Sequence, residues 1–518
     1  MYQKFLVIII LLTISLQAQA GAGITSDEVD HLVQQVMGKF DVPGIAVGII
    51  KDGTVIHARG YGVRNINKKG RVDAETLFSI ASTGKSFTTA AIALLVDEGK
   101  VSWDDKVIDY LPDFRMYDPW VTREFTVRDL LIHNSGLGLG AGDLMFWPTA
   151  NFTRKEIISN LQYLKPVSSF RSEFAYDNLL YIVAGEVIAA VSGMPYEDFV
   201  DNRILKPLGM KYCAANLEPL KNHKNVADPH MVKDGKIQNA IRDIKLGENV
   251  VVAAAGGMQC SVKSILKWHD MHLRKGRLPS GDIFLSKEQQ AEIMTPQTIL
   301  PVRPNNKEWF NSSFSAYGLG WVLSDYKGYK IEQHSGGLLG MLSLNAMIPD
   351  LGLGVVIYTN QQAGVARSAI MNSILDTYIS DKKTDWISRL YDLKQKRLAA
   401  AAKAVPDMAE APYVPTGGLT PYAGSYRDPW FGDVIITENK SELTFMAVKS
   451  ERLKGKMVPF KSNLFIVRWD DRSLDADAYV KFSVGYDGKP QGITMKAVSA
   501  LTDFSFDFHD LNFKRIKQ

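Results

Sequence analysis

Apolar residues recur along this chain with two periods, and the switches between them outline its architecture. Between Pro43 and Gly62, PGIAVGIIKDGTVIHARGYG places two strand-like runs around Asp52-Gly53, a pair that favours a tight hairpin turn. Helix-like spacing follows at Phe87 to Glu98 and at Leu179 to Val191, the latter closed by Ser192-Gly193. After Ala255 the pattern returns to strands: YGLGWVLS, YKIEQHSGG, LSLNAMIP and LGVVIYTN. Strands at both ends with helices between predict an α+β domain whose sheet is completed by the later strands.

Residues 365–404 read as helical and are followed by VPDMAEAPYVPTGGLTP, a Pro- and Gly-rich linker. Beyond about Tyr422 come short alternating runs, DVIITEN, ELTFMAV, LFIVRW and YVKFSVGYDGKPQGITMKAV, with Asp487-Gly488 as a turn. They predict a separate small β-sheet or β-barrel domain. The expected division is a leader at 1–20, a main domain at 24–364, a helical segment and linker at 365–421, and an all-β domain at 422–518.

The leader is expected because MYQKFLVIIILLTISLQAQA has Lys4, an apolar run from Phe5 to about Leu16, and the small-x-small triplet Ala18-Gln19-Ala20. That run is short of the ~20 residues a spanning helix needs, so a cleaved signal peptide and a periplasmic or secreted protein are expected. Two cysteines, Cys213 and Cys260, leave open one bridge or two buried thiols. A net charge of +4 over 518 residues, with no dense basic block, argues against nucleic-acid binding and for a small-molecule or short-peptide substrate. Homo-oligomerisation stays open.

The chemistry centres on FSIASTGKSFTTAAIALLVDEGK at 78–100. Gly84-Lys85-Ser86 resembles the end of a phosphate loop, but the first glycine of that loop is replaced by Ser79. The alternative is Ser82 and Lys85 as an activated Ser-x-x-Lys pair. At a strand-to-helix junction the lysine lies beside the hydroxyl, and the helix dipole favours both a deprotonated amine and a serine oxyanion. The spacing alone is weak, because Ser264 with Lys267, Ser324 with Lys327 and Ser380 with Lys383 repeat it. Two further elements distinguish Ser82. Tyr176-Asp177-Asn178 stands just before an apolar helix, with Tyr358-Thr359-Asn360 as its rival, and His334-Ser335-Gly336-Gly337 offers glycines that let a substrate approach the backbone. No histidine spacing matches a metal-ligand motif, and neither a metal nor another cofactor is expected.

The order STGK, YDN, HSG, with the flanking segments TVRDLLIHNSGLG, AAAGGMQCS and YGLGW, resembles the class C β-lactamase-like serine hydrolases, which include penicillin-binding D,D-peptidases, D-aminopeptidases and esterases. The tail is similar to the lipocalin-like domain some members append. The resemblance implies an α/β sandwich: an antiparallel sheet flanked by helices, plus a helical subdomain carrying the tyrosine loop. It also implies hydrolysis of amide or ester bonds, in D-amino-acid peptides or small esters, through an acyl-enzyme on Ser82. Lys85 and Tyr176 would manage its protons, with the order between them open, and Asn178 would orient substrate and Lys85. The backbone N–H groups of Ser82 and Gly337 would form the oxyanion hole, with His334 and Gly336 also lining the substrate site. His133 falls in a segment expected to hold a turn. Two departures matter: Leu180 stands where many members have Gly, and His334 where β-lactamases typically have Lys. An imidazole anchors a substrate carboxylate less well than an ammonium, which ranks β-lactamase activity below peptidase or esterase activity and leaves a weak class C-type β-lactamase as one alternative. The tail domain and Leu180 motivate another, penicillin and peptidoglycan-peptide binding with little turnover.

Overall fold

The Asp52-Gly53 turn joins β1 (Gly44–Lys51) to β2 (Thr54–Gly62) as an antiparallel hairpin. The structure, a computed structural model, describes residues 23–233, 235–380, 382–404, 417–440 and 442–516. The expected leader and residues 405–416 of the expected linker lie outside these. Six later strands, β3 (Thr298–Ile299), β4 (Ser315–Tyr317), β5 (Val322–Tyr326), β6 (Tyr329–Leu338), β7 (Met341–Ile348) and β8 (Leu353–Thr359), complete an antiparallel sheet in the order β2-β1-β8-β7-β6-β5-β4-β3. The last long strand thus closes on the first, Val47 opposite Ile357.

Both faces of β1 are buried, which is why it reads as a nearly continuous apolar run. Ile45, Val47 and Ile49 pack with α1 (Ser26–Phe40) and two helices of the expected segment at 365–421, which span Gly364–Ile379 and Trp386–Ala404. Ala46 and Ile50 face the opposite core, shared with α2 (Lys85–Asp97), α3 (Leu179–Ser192) and α4 (Val262–Leu273). Gly193 ends α3 in the left-handed region at φ 73°, the stop its Ser-Gly pair predicts.

Two expectations for the middle of the chain are corrected. After Ala255 the chain forms the two-residue strand Gln259–Cys260, then α4 and the short helix Lys287–Ile293 before β3, and the helix Pro304–Phe310 separates β3 from β4. YGLGWVLS is not one strand either. It breaks between β4 and β5, where Gly320 has φ +79° and a Cβ there would lie 2.8 Å from Thr89 Oγ1 and 3.1 Å from the Lys85 carbonyl oxygen. Close passage over α2 overrides the alternating pattern.

A small sheet flanks the nucleophile segment: Gln259–Cys260 pairs antiparallel with both Phe78–Ser79 and Cys213–Ala214, and Cys213 and Cys260 form a disulfide. Beyond Tyr422, eight strands from Gly424–Asp428 to Asn512–Arg515 close into a barrel, sealed where Tyr426 pairs with Arg515. Strand Lys454–Lys461 escaped the pattern because lysines on its outward face dilute the apolar signal. The barrel docks on the main domain through Trp147 against Phe506, Phe152 against Phe431, Asn160 donating to the Trp430 carbonyl, and an Arg452–Asp243 ion pair.

Candidate active site

Ser82 lies on a single 3₁₀ turn, Ala81–Gly84, that runs directly into α2. Ala81 adopts φ 49°, the left-handed region that a β-carbon disfavours, so the surroundings must hold the turn. They do so with glycines and hydroxyls. Gly336 of β6 packs so tightly that a Cβ would lie 2.4 Å from the Ile80 carbonyl oxygen and 3.0 Å from the Ala81 Cβ. That carbonyl also accepts from Thr83 Oγ1 at 2.8 Å and Ser343 Oγ at 2.5 Å. The HSGG segment therefore abuts the nucleophile turn, with Gly336 buried and Gly337 exposed.

Lys85, the first residue of α2, is completely buried, and its Nζ lies 3.3 Å from Ser82 Oγ, 2.7 Å from Asn178 Oδ1 and 2.8 Å from the Ala255 carbonyl oxygen. Burial lowers its pKa to about 7, opposed by the charges of Asp143 and Asp177. The three contacts suit the neutral amine. Its two hydrogens satisfy the amide and carbonyl oxygens, which can only accept, and its lone pair is left facing the serine hydroxyl. The phosphate-loop reading fails on the same geometry.

Asn178 immediately precedes α3, and rather than capping it the side chain donates from Nδ2 to Asp143 Oδ2 at 2.8 Å. Tyr176 lies alongside Lys85, whose Nζ is 4.9 Å from its ring centroid. Its hydroxyl is buried without a well-formed hydrogen bond; burial pushes its pKa well up, and Ser82 is the neighbour that opposes this. His133, itself at φ 58°, stacks on the phenol at 4.2 Å and accepts from the Asp177 N–H at 3.1 Å, so it braces the tyrosine loop. Leu180 is buried within α3 and donates its N–H to Asp177 Oδ1 at 3.3 Å, closing the loop by an Asx-type contact.

His334 is near the phenol, ring centroids 6.1 Å apart, but both its nitrogens are engaged. Nδ1 meets the Ser335 carbonyl oxygen at 2.7 Å, which makes it the protonated nitrogen, and Nε2 accepts from Tyr317 O–H at 2.9 Å. Burial, with Lys85 and Arg367 nearby, lowers its pKa to about 3. Neutral and engaged on both sides, it offers no cation to a substrate carboxylate. A cation does lie behind the strand: Arg367, on the helix Gly364–Ile379, donates to the Gly336 and Ser343 carbonyl oxygens at 2.7 and 2.6 Å.

The rival motifs gather no such partners. Lys267 donates to the Gly209 carbonyl oxygen, Lys327 is paired with Asp376, and Ser380 Oγ donates to the Lys382 carbonyl oxygen. Tyr358 is buried in the core, and Asn360 donates to the Val63 and Arg64 carbonyl oxygens.

The family profile described as Beta-lactamase matches residues 29–375, and one described as "Domain of unknown function (DUF3471)" matches 409–515. The chain belongs to the Beta-lactamase family. Among curated relatives, unguisins hydrolase ungD' of Aspergillus campestris is 27% identical over 485 residues, covering 89% of this chain and 87% of that one. Protein flp of Staphylococcus aureus (strain COL) is 25% identical, covering 65% and 63%. Among solved structures, the octameric penicillin-binding protein homologue from Pyrococcus abyssi superposes with TM-score 0.61 at 22% identity, over 91% of this chain and 98% of that chain. A class C β-lactamase superposes with TM-score 0.56 at 19% identity, covering 69% and 97%. The fold is therefore class C β-lactamase-like, followed by a distinct β-barrel domain.

The Ser-x-x-Lys, Tyr-x-Asn and His-Ser-Gly motifs of this family member converge, but several neighbours of the site went unsingled in the sequence. Asp143 is buried among Gly140, Gly142 and Leu144, and a lone acid in so apolar a stretch was the available signal. Its Oδ2 accepts from Ser505 Oγ at 2.7 Å as well as from Asn178. Burial drives its pKa well above the carboxylate range, while Ser505 and Asn178 counter the rise. Phe504, beside Ser505 on the barrel, meets the Tyr176 ring edge-on at 5.9 Å.

Proposed function

We propose that this protein is an exported serine hydrolase, periplasmic or secreted, that cleaves amide or ester bonds through an acyl-enzyme on Ser82, with D-amino-acid peptides or small esters as substrates. The observation that carries this reading is the buried Lys85 amine, aimed at Ser82 Oγ by two acceptor-only oxygens. In acylation the Ser82 proton passes to Lys85 Nζ as Oγ attacks the carbonyl carbon. The resulting oxyanion is held by the backbone N–H groups of Ser82 and Gly337. Tyr176, kept protonated by burial, donates its proton to the departing amine or alkoxide. Water then attacks the ester carbon, and its proton returns through the same groups to regenerate Ser82. Asn178 orients Lys85 and the substrate amide; Gly336 leaves room for the nucleophile turn.

The name of the unguisins hydrolase supports hydrolysis as the outcome. The neutral, doubly engaged His334 disfavours β-lactams as preferred substrates. A second reading, a peptidoglycan-peptide-binding protein with little turnover, is favoured by one observation: Phe504 crowds the phenol that must serve the leaving group. The barrel is taken as lipocalin-like, and the neighbouring octamer makes homo-oligomerisation part of the proposal.

A fluorophosphonate probe followed by peptide mapping tests the assignment; label on any residue but Ser82, or undiminished turnover by Ser82→Ala, overturns it. Turnover of an ester, a D-amino amide, a D-Ala-D-Ala peptide and a cephalosporin then separates the substrate classes.

A further inference from the structure

Ser505 and Asp143 are 362 positions apart in the chain, yet they form one buried hydrogen bond at the edge of the candidate site. From it a continuous line of contacts runs inward: Ser505 Oγ to Asp143 Oδ2 at 2.7 Å, Asn178 Nδ2 to the same oxygen at 2.8 Å, and Asn178 Oδ1 to Lys85 Nζ at 2.7 Å. We propose that Ser505 of the C-terminal barrel is a positioning residue for Lys85, acting through Asp143 and Asn178, so that the barrel completes the catalytic centre of the main domain. The role of the lysine rests on the hydrolase reading above; its placement does not.

The argument turns on the two-sidedness of an amide. Asn178 can present either oxygen or nitrogen to Lys85, and only the oxygen holds an amine whose lone pair must stay free for Ser82. Asp143 Oδ2 accepts from both Asn178 Nδ2 and Ser505 Oγ, so a proton on this carboxyl sits on the other oxygen; Oδ2 stays an acceptor, commands the Nδ2 side and thereby fixes the Oδ1 side. Asp143 is itself buried, and its Oδ1 has no partner. Among the described residues, Asn178 and Ser505 are the side chains that donate to it. Removing one of these two donors leaves the accepting oxygen half-satisfied and less firmly aimed at Asn178.

The Ser505 loop is positioned for this. Its own N–H donates to Asp503 Oδ1 at 3.0 Å, Phe504 and Phe506 flank it against Tyr176 and Trp147, and Asp507 Oδ2 accepts from the Gly142 N–H at 2.5 Å. The charged and titratable groups around the line are Asp177, Asp503, Asp507, His133, His334, Tyr176 and Tyr181. Of these, Asp503 is the one whose carboxyl the Ser505 hydroxyl also supports. Losing that hydroxyl therefore frees the Asp143 carboxyl to turn, loosens the Asn178 oxygen that supports the Lys85 ammonium, and moves the acidic limb of acylation to lower pH.

The test uses the full chain as Ser505→Ala, Asp143→Asn and the double variant, with the rate of Ser82 labelling by a fluorophosphonate followed as a function of pH. Ser505→Ala is expected to slow labelling by about tenfold and displace the acidic limb downward. It should add little once Asp143 is Asn, since residues acting in one line are not additive. A wild-type rate and limb in Ser505→Ala, or independent effects of the two substitutions, overturns the proposal. If wild-type Ser82 takes no label, the hydrolase reading fails, and a crystal structure of Ser505→Ala decides the placement alone. Loss of the Lys85–Asn178 contact upholds it, and an undisturbed contact overturns it.

Discussion

Ser82 with Lys85 and Ser324 with Lys327 have identical spacing, yet the two pairs share no chemistry. Ser82 sits in a strained turn ahead of a helix, and its lysine is sealed among neutral oxygens with two carboxylates at a remove. Ser324 lies inside β5, and Lys327 emerges from the following turn to meet Asp376, which also accepts from Trp386 Nε1 at 2.6 Å. One lysine is solvated in part and held by a full counter-charge; the other is desolvated and offered mostly dipoles. A carboxylate in contact stabilises the ammonium, whereas burial among carbonyl and amide oxygens favours the free amine. The difference between a structural cation and the general base proposed in Lys85 is thus made by the partners that tertiary folding delivers.

Four measurements sharpen or break this contrast. The largest effect is expected from Ser82→Ala, which should lower ester turnover at least about a thousandfold, while Ser324→Ala stays within about twofold. Next, Lys85→Met should reduce kcat/KM by roughly 10²–10⁴, with Lys327→Met near wild type; equal losses would erase the distinction. The pH profile comes third. With the neutral amine as the proposed base, acylation should rise with pH through the Lys85 pKa of about 7 and fall below it as the ammonium forms. A limb near the ordinary lysine value would contradict the burial argument. Smallest is the stability cost of Lys327→Met, about 1–3 kcal/mol by denaturant unfolding, since Asp376 keeps Trp386 but loses its cation.

Much of this arrangement could be read along the chain, for identifiable reasons. The hairpin around Asp52-Gly53, α3 with its Ser-Gly stop, and the junction bearing Ser82 and Lys85 depend on turn chemistry and local periodicity. Tyr176, Asn178 and His334 were findable because each belongs to a compact motif. What the sequence concealed depends on distant contact. Nothing near Ser505 announces Asp143, and nothing near Gly320 announces the backbone of α2 that breaks the expected strand. The engagement of His334 by Tyr317 also needs two strands laid side by side before it exists. The cysteine pairing was undecidable until the small sheet set Cys213 opposite Cys260.

That small sheet has a practical consequence. Its middle strand, Gln259–Cys260, follows closely on the segment whose Ala255 carbonyl receives a Lys85 hydrogen, and it borders the strand leading into Ser82. A thiol reductant in the assay buffer would cut the tether on one side of that strand without touching any reacting atom. Dithiothreitol should then register as lost turnover, although the proposed chemistry involves no sulfur.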